Sequence, residues 1–471
     1  MGNKRFKNLF INTILFGIGQ FGTTFLGILL VPIYTNCMTK AEYGTADLLI
    51  NMAAMLLPIV TVCIADGVIK FAFDGRHNVN EVFSVSFFVC FIGIIFSILL
   101  YPIIYKYGQI TEYILFFYLM LFTNILNNLF LAITKALNQI KTFTIISLIK
   151  TLVMLGSNII TLKVFDIGVK GYLFSYIISN IVAVIGCIIA DKLYSRIRIR
   201  NLKKSVLKEM TLFSLPLIPN NISGWAMNSI DRYMLTYMLD ASYNGLYSVA
   251  HKIPSIVTMF SSVFNQAWNF SALEEQKSKD SKEYYRSVFK IYSSYMFILS
   301  SMVLLVIKPV MLIWVGEEFK EAWMYAPYLL IAVIFSCLTG FYVPLFVTAE
   351  KTNMLFVSTL AGAITNIVLN AVLIPVWQIN GASLATVITH FVVWFIRGAV
   401  IEKYTKVGLN RKKAYCNAGL LMIQGTLLIF SGTYWYISQV IMVGIVLLVN
   451  LKEINVLLKK FKPLLKQLKK H

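Results

Sequence analysis

The sequence predicts an all-α protein that crosses a membrane about fourteen times. Three observations carry this. Of the 471 residues, 58% are hydrophobic and only 13% are charged, about half the charge of an ordinary soluble chain and too little to cover a water-facing surface. The apolar residues come in runs of about 20 or more, long enough to cross a bilayer as helices. Lysine and arginine, finally, concentrate in alternate connecting segments, as the positive-inside rule requires. A soluble enzyme, a disordered chain and a disulfide scaffold are excluded on these grounds.

The elements follow in order. After a basic start, the apolar run at 9–35 is too long for a signal core and carries no small-residue cleavage site, so it reads as a retained first span. Spans two to six are expected near 45–70, 82–105, 112–135, 142–164 and 170–192. A basic segment, 194–210, precedes spans near 211–239, 244–270, 288–314, 323–349, 353–377 and 381–401. Two more, 414–431 and 433–450, are parted only by Gly432, so a hairpin and a single broken helix both fit. In the tail, 451–471, Ile454, Leu457, Leu458, Phe461, Leu465 and Leu468 fall at helical spacing among lysines, the pattern of a basic amphipathic helix on an anionic leaflet.

With both termini cytoplasmic, 33 of the 42 lysines and arginines are counted on the cytoplasmic side, among them Arg397 at the inner end of the expected span 381–401. Six fall outside (Lys40, Lys106, Lys163, Lys170, Lys308 and Lys320), and Lys150, Arg232 and Lys252 lie within spans. The six cysteines share no metal-ligand spacing, and most lie in apolar runs, where a free thiol behaves as a small hydrophobe. No disulfide, metal cluster or cofactor is expected. No catalytic residues are expected either, since no triad or phosphate-binding loop stands in a credible context, and nucleic acid is not a partner.

The chain repeats itself. Lys40 to Thr45 (KAEYGT) follows span 1, and Asp240 to Leu246 (DASYNGL) follows span 7. Asn158 to Leu173 and Asn370 to Ser383 each run from an Asn in an odd-numbered span through a short loop to a Gly opening the next. Both pairs start in the same direction across the membrane, so the repeat is parallel. The expected organisation is an N-lobe (1–193), a basic linker (194–210), a C-lobe (211–402), two further spans (403–450) and the tail (451–471). The two six-helix lobes would surround a central cavity, as in transporters.

These hairpins, with the Ile-Asn-Gly-Ala-Ser run at 379–383, resemble the multidrug/oligosaccharidyl-lipid/polysaccharide (MOP) exporter superfamily over about residues 5–450. Within it the chain is most similar to polysaccharide repeat-unit flippases. The resemblance implies a non-enzyme of the bacterial plasma membrane that moves undecaprenyl-diphosphate-linked oligosaccharide from the inner to the outer leaflet by alternating access, for O-antigen or capsule synthesis. It also implies contact with membrane lipids, a polysaccharide polymerase and a chain-length regulator. Two alternatives stay open: a multidrug or small-cation antiporter of the same superfamily, and a non-transporting scaffold of an envelope complex.

A diphosphate headgroup with sugars needs a wet cavity with a few cations and many neutral hydrogen-bonding groups, because an isolated buried charge is expensive. Asn221, Gly224, Asn228 and Asp231 recur at i, i+3, i+7 and i+10 on one face of span 7. Lys252 heads a polar stripe in span 8, and Gln20 lies on one in span 1. Small and polar residues also serve as interhelical glue; against that reading, the candidate substrate contacts are Lys252, Arg232, Lys150, Asn221, Asn228 and Gln20. Arg232 has Asp240 as an alternative partner, and Lys150 is equally placed as a strut within its lobe. Asp231, Asn366, Asn370 and Thr386 offer a carboxylate, two amides and a hydroxyl within about 10 Å of the mid-plane by helical rise. This set resembles the sodium site of the related lipid II flippases, with Asn where a second carboxylate is expected, which leaves Na+ or H+ open as the coupling ion. His390 is a further titratable candidate in span 12.

Overall fold

The computed structural model describes residues 27–107, 111–278, 280–409 and 411–455. Gln20 and most of span 1 lie outside the described residues, as does the tail beyond 455. Every described element is helical. Among the described residues nine helices are long and apolar enough to cross a membrane. The expected count of fourteen exceeds this because most of span 1 lies outside the described residues, two spans form one element, and the helices Leu217–Met238, Lys252–Glu274 and Lys412–Phe430 are long enough but less apolar.

The chain groups into two compact units. The first takes the described residues up to Thr236 with Asp240–Gly245 and Gly316–Glu318; the second takes Tyr237–Leu239, Leu246–Val315 and Phe319 onward.

In the first unit, α1 (Val31–Cys37) leads to α2 (Lys40–Val60), which opens on a capping box between Thr39 and Glu42. Span 2 breaks after Pro58: Val62 and Cys63 both take φ of 53°, and a separate helix, α3 (Ile64–Phe73), follows. Proline removes a ladder donor, and left-handed non-glycine residues are costly, so this break is a built feature. Then come α4 (Val79–Leu99), α5 (Tyr101–Tyr107), α6 (Ile114–Ala136), α7 (Ile140–Asn158, continued as a π turn to Val164) and α8 (Gly168–Ala190). The linker holds the short α9 (Leu193–Arg196) and then α10 (Lys204–Ser214).

Helix α11 (Leu217–Met238), expected in the C-lobe, groups almost entirely with this unit, as does α10, which begins in the linker, and side chains of both reach into it. Trp225 Nε1 donates to Asn51 O at 3.0 Å, and Phe213 packs edge-on against Phe71 at 5.8 Å. The duplicated motifs meet here as well. A side chain on Gly44 would collide with the Ala241 carbonyl, and one on Gly245 with the Lys40 carbonyl. Asn244 Nδ2 then donates to Gly44 O at 2.7 Å. Only glycine permits this backbone approach.

The second unit takes the end of α12 (Ala241–Ala250), then α13 (Lys252–Glu274), α14 (Ser281–Trp314), α15 (Ala326–Phe341), α16 (Val343–Thr348), α17 (Asn353–Thr405), α18 (Lys412–Phe430) and α19 (Trp435–Val449). Helix α17 is two helices merged across a kink at Gln378, φ 50° and ψ −126°. A side chain on Gly381 would strike the Leu373 carbonyl, and Arg397 bonds back to residues 355–359. Predicted spans 11 and 12 are therefore an antiparallel hairpin. The Gly432 region likewise resolves into two helices, α18 and α19. Reciprocal amide bonds between Asn417 and Asn450 join them (2.9 and 3.2 Å), and Gln424 ties α18 to Ser301 of α14.

Candidate functional site

Each unit carries its own polar interior. In the first, the break in span 2 opens a cavity of about 290 Å³ lined by Thr61, Cys63, Asp66, Asn128 and Asn221 among others. Four elements converge on it: the end of α2 and the residues after it, the start of α3, α6 and α11. Asn221 Nδ2 donates to Cys63 Sγ at 3.2 Å, and both line the cavity together with Asp66. Amides, a hydroxyl and a carboxylate are a donor and acceptor set suited to hydroxyl-bearing ligands. The sequence places Asn221 at such a cavity; it gives Asp66 no role there, because the turn that brings Asp66 inward is not visible as a pattern. Pro58, three residues before a Thr, was the available signal.

Along α2 and α11 lies a part-buried ion pair. Arg232 Nη1 contacts Asp47 Oδ2 at 2.6 Å, with the two side chains 14% and 11% exposed. Asn51 Nδ2 supports the same carboxylate oxygen at 3.2 Å. The alternative partner for Arg232, Asp240, is corrected: Asp240 instead accepts from the Ser242 N–H at 2.5 Å, turning the chain into α12. Asp231 is buried, and its Oδ1 accepts from the Arg232 backbone N–H at 2.9 Å. Asn228 is exposed on α11, its amide donating to Gly224 O at 2.6 Å. Lys150 lies half-buried on α7, its ammonium 5.9 Å from the Tyr176 ring centre. Nearby on α7, Asn158 is fully buried and donates to Tyr34 Oη at 3.4 Å.

In the second unit, Asn366 and Asn370 meet as the i, i+4 spacing predicts: Asn370 Nδ2 donates to Asn366 Oδ1 at 2.9 Å. Both are fully buried, and Asn370 Oδ1 and Asn366 Nδ2 have no hydrogen-bond partner among the described residues. Thr386 Oγ1 lies 3.3 Å from Tyr247 Oη. A buried amide oxygen without a donor is the kind of ligand a hard cation uses, so the residues present fit that chemistry as far as this unit goes; Asp231 belongs to the other unit. His390 is buried on the second half of α17. Lys252 stands at the first position of α13, where His251 breaks predicted span 8 in two.

One buried cation is missing from the three that the sequence assigns to the spans. Arg397, assigned there to a cytoplasmic segment, is buried in the α17 hairpin. Its Nε donates to Ser358 Oγ at 2.8 Å, and its Nη2 donates to Thr359 Oγ1 at 2.9 Å and Leu355 O at 3.3 Å.

Comparison with known proteins agrees with this architecture. Among solved structures, the lipid II flippase MurJ in an inward closed conformation aligns with a TM-score of 0.69 at 10% identity, covering 95% of this chain and 99% of that one. An inward-facing multidrug resistance MATE family transporter of the MOP superfamily aligns with a TM-score of 0.67 at 13% identity, covering 82% and 96%. A mutant form of the Vibrio cholerae MATE transporter VcmN gives 0.57 at 11% identity, covering 85% and 98%. Comparison with curated proteins gives no match. The profile of one family, described as polysaccharide biosynthesis protein, matches residues 35–324, more than half of the chain. The chain thus belongs to the polysaccharide biosynthesis protein family and has the polytopic fold of the MOP superfamily.

Proposed function

We propose that the protein flips undecaprenyl-diphosphate-linked oligosaccharide repeat units from the inner to the outer leaflet of the bacterial plasma membrane, for O-antigen or capsule synthesis. Both termini lie in the cytoplasm in this reading. The observation that carries it is the family match together with the amide-rich cavity at Asn221, Asn128 and Asp66. Neutral amides and one carboxylate serve sugar hydroxyls. Lys252, Arg232 and Lys150 are assigned to the diphosphate; an arginine binds phosphate oxygens bidentately, a lysine as a point charge. Gln20 and Asn228 complete the sugar contacts. A polymerase and a chain-length regulator act on the product.

Coupling is assigned to Asp231 with Asn366, Asn370 and Thr386, the ion being Na+ or H+, with His390 as the next titratable group. In vesicles with an imposed sodium or proton gradient, Asp231→Asn should stop gradient-driven turnover while lipid-linked substrate still binds, since the amide keeps size but not charge. Undiminished driven transport by a well-folded Asp231→Asn protein would remove this role.

A second reading, export of organic cations, is favoured by one observation, the Asp66 carboxylate in the polar cavity. Cells lacking the protein decide between the two. Accumulation of lipid-linked repeat units on the inner leaflet supports the flippase. Unchanged repeat units with raised sensitivity to cationic drugs support the alternative.

A further inference from the structure

The basic linker between the two repeats does not hang free. Ser84 Oγ, on the second turn of α4, accepts from the Arg198 N–H at 3.0 Å. Arg196 Nε donates to the Asp191 carbonyl at 2.9 Å, and Lys203 pairs with Glu81 at 2.6 Å. These bonds pin residues 196–203 along the start of α4 and leave a groove of about 390 Å³ between helix and linker. Its walls are apolar: Phe88, Phe91, Ile199 and Leu202, with Phe87 as a floor stacked on Phe130 at 6.2 Å. Phe88, Phe91 and Ile199 are 39%, 52% and 87% exposed. From Ser84 to Phe91 the groove follows α4 for about 10 Å, from the charged end of a membrane-spanning helix toward its middle.

Its mouth is cationic. Arg198 lines the groove and Arg200 follows one residue beyond Ile199. Neither has a carboxylate within ion-pair distance among the described residues, and Glu81, in the first turn of α4, is paired with Lys203. An apolar slot along a span-length helix, with Arg198 in its lining and Arg200 two residues further along the chain, matches one chemistry: an acyl chain carrying an anionic headgroup. Basic residues flanking a span draw anionic lipid, and guanidinium is the side chain suited to phosphate. A volume of 390 Å³ falls near the lower end of the roughly 300–1,000 Å³ range of small-molecule pockets.

We propose that this groove is a binding site for one anionic phospholipid of the leaflet on the linker's side. The acyl chain lies along Phe88 and Phe91, and the phosphate is held by Arg198 and Arg200. The bound lipid fastens the segment that joins the repeats to the N-terminal helices. The site rests on α4 being a membrane span, not on the transported substrate, so its test reads lipid binding rather than export.

The test is a titration of the purified full chain in detergent with phosphatidylglycerol and, separately, phosphatidylcholine, following retained lipid by native mass spectrometry. Wild type should retain phosphatidylglycerol at least tenfold more tightly than phosphatidylcholine. Arg198→Ala with Arg200→Ala should erase that preference, the paired Arg→Lys changes should keep most of it, and Lys351→Ala, an exposed position of the second unit, should change nothing. Should the double alanine variant fold poorly, thermal protection of the wild type decides. Protection by phosphatidylglycerol, and by neither phosphatidylcholine nor inorganic phosphate, supports the site. Equal retention of the two lipids, a preference untouched by the double alanine change, or equal protection by phosphate alone would overturn it.

Discussion

Among the described residues Arg397 is buried and Arg232 is part-buried, and the two units accommodate them differently. In the first unit Arg232 meets a carboxylate, Asp47, at 2.6 Å. In the second, Arg397 meets two hydroxyls and a carbonyl. The first arrangement neutralises the charge; the second only solvates it. A pair in low dielectric is sensitive to the loss of either member, because the survivor is left uncompensated. A cation solvated by several neutral oxygens loses only part of its shell when one oxygen goes. The first arrangement suits a contact that holds hard until a competing anion arrives, the second a fixed structural charge.

The comparison breaks most readily at Asp47. Asp47→Asn should cost about 3–5 kcal/mol, read as a sharp fall in folded protein recovered from membranes and in its thermal midpoint. Adding Arg232→Met should restore most of that loss. An Asp47→Asn protein as stable as wild type would show that the pair is solvated like Arg397. Lys252 extends the comparison to a cation assigned to substrate. Lys252→Ala should lower export about 10–100-fold, the equivalent of a charge-assisted hydrogen bond worth about 1.5–3 kcal/mol, with protein levels held. Lys252→Arg should retain part of the activity. Export unchanged by the alanine would remove Lys252 from the site. The smallest effect belongs to Arg397. Thr359→Val should cost about 1–2 kcal/mol in thermal stability and leave export per folded molecule unchanged. A loss matching that of Asp47→Asn would mean that the second arginine is as exacting as the first.

The same two residues show how far the sequence can be read. Helix positions were legible because the membrane imposes a run length: each expected span from the second to the fourteenth falls on a helix, a broken pair or half of the α17 hairpin. The local pair Asn366–Asn370 was legible because i, i+4 spacing fixes it. The duplicated Tyr-Gly and Tyr-Asn-Gly motifs were legible as a repeat, though not as a place where Gly44 and Gly245 meet. Arg232 was visible as an intramembrane cation, but its partner lies 185 residues away, and no periodicity connects such positions; the nearer Asp240 was the natural guess. Arg397 was counted outside the membrane because it sits near the end of an apolar run, where length alone does not separate a buried position from a loop. The breaks at Val62–Cys63 and His251 were hidden inside runs that hydropathy treats as continuous. The cavity at Asp66 depends on the first of them.

The central claim is that the chain moves a lipid-linked oligosaccharide between leaflets. The direct measurement uses the purified protein in vesicles loaded on one leaflet with undecaprenyl-diphosphate-linked oligosaccharide, with an impermeant sugar-modifying enzyme on the other side. The account predicts that wild-type protein makes the oligosaccharide accessible to the enzyme, that Lys252→Ala slows this about 10–100-fold, and that protein-free vesicles stay protected. Oligosaccharide that stays protected in vesicles carrying folded wild-type protein, under both sodium and proton gradients, would contradict it.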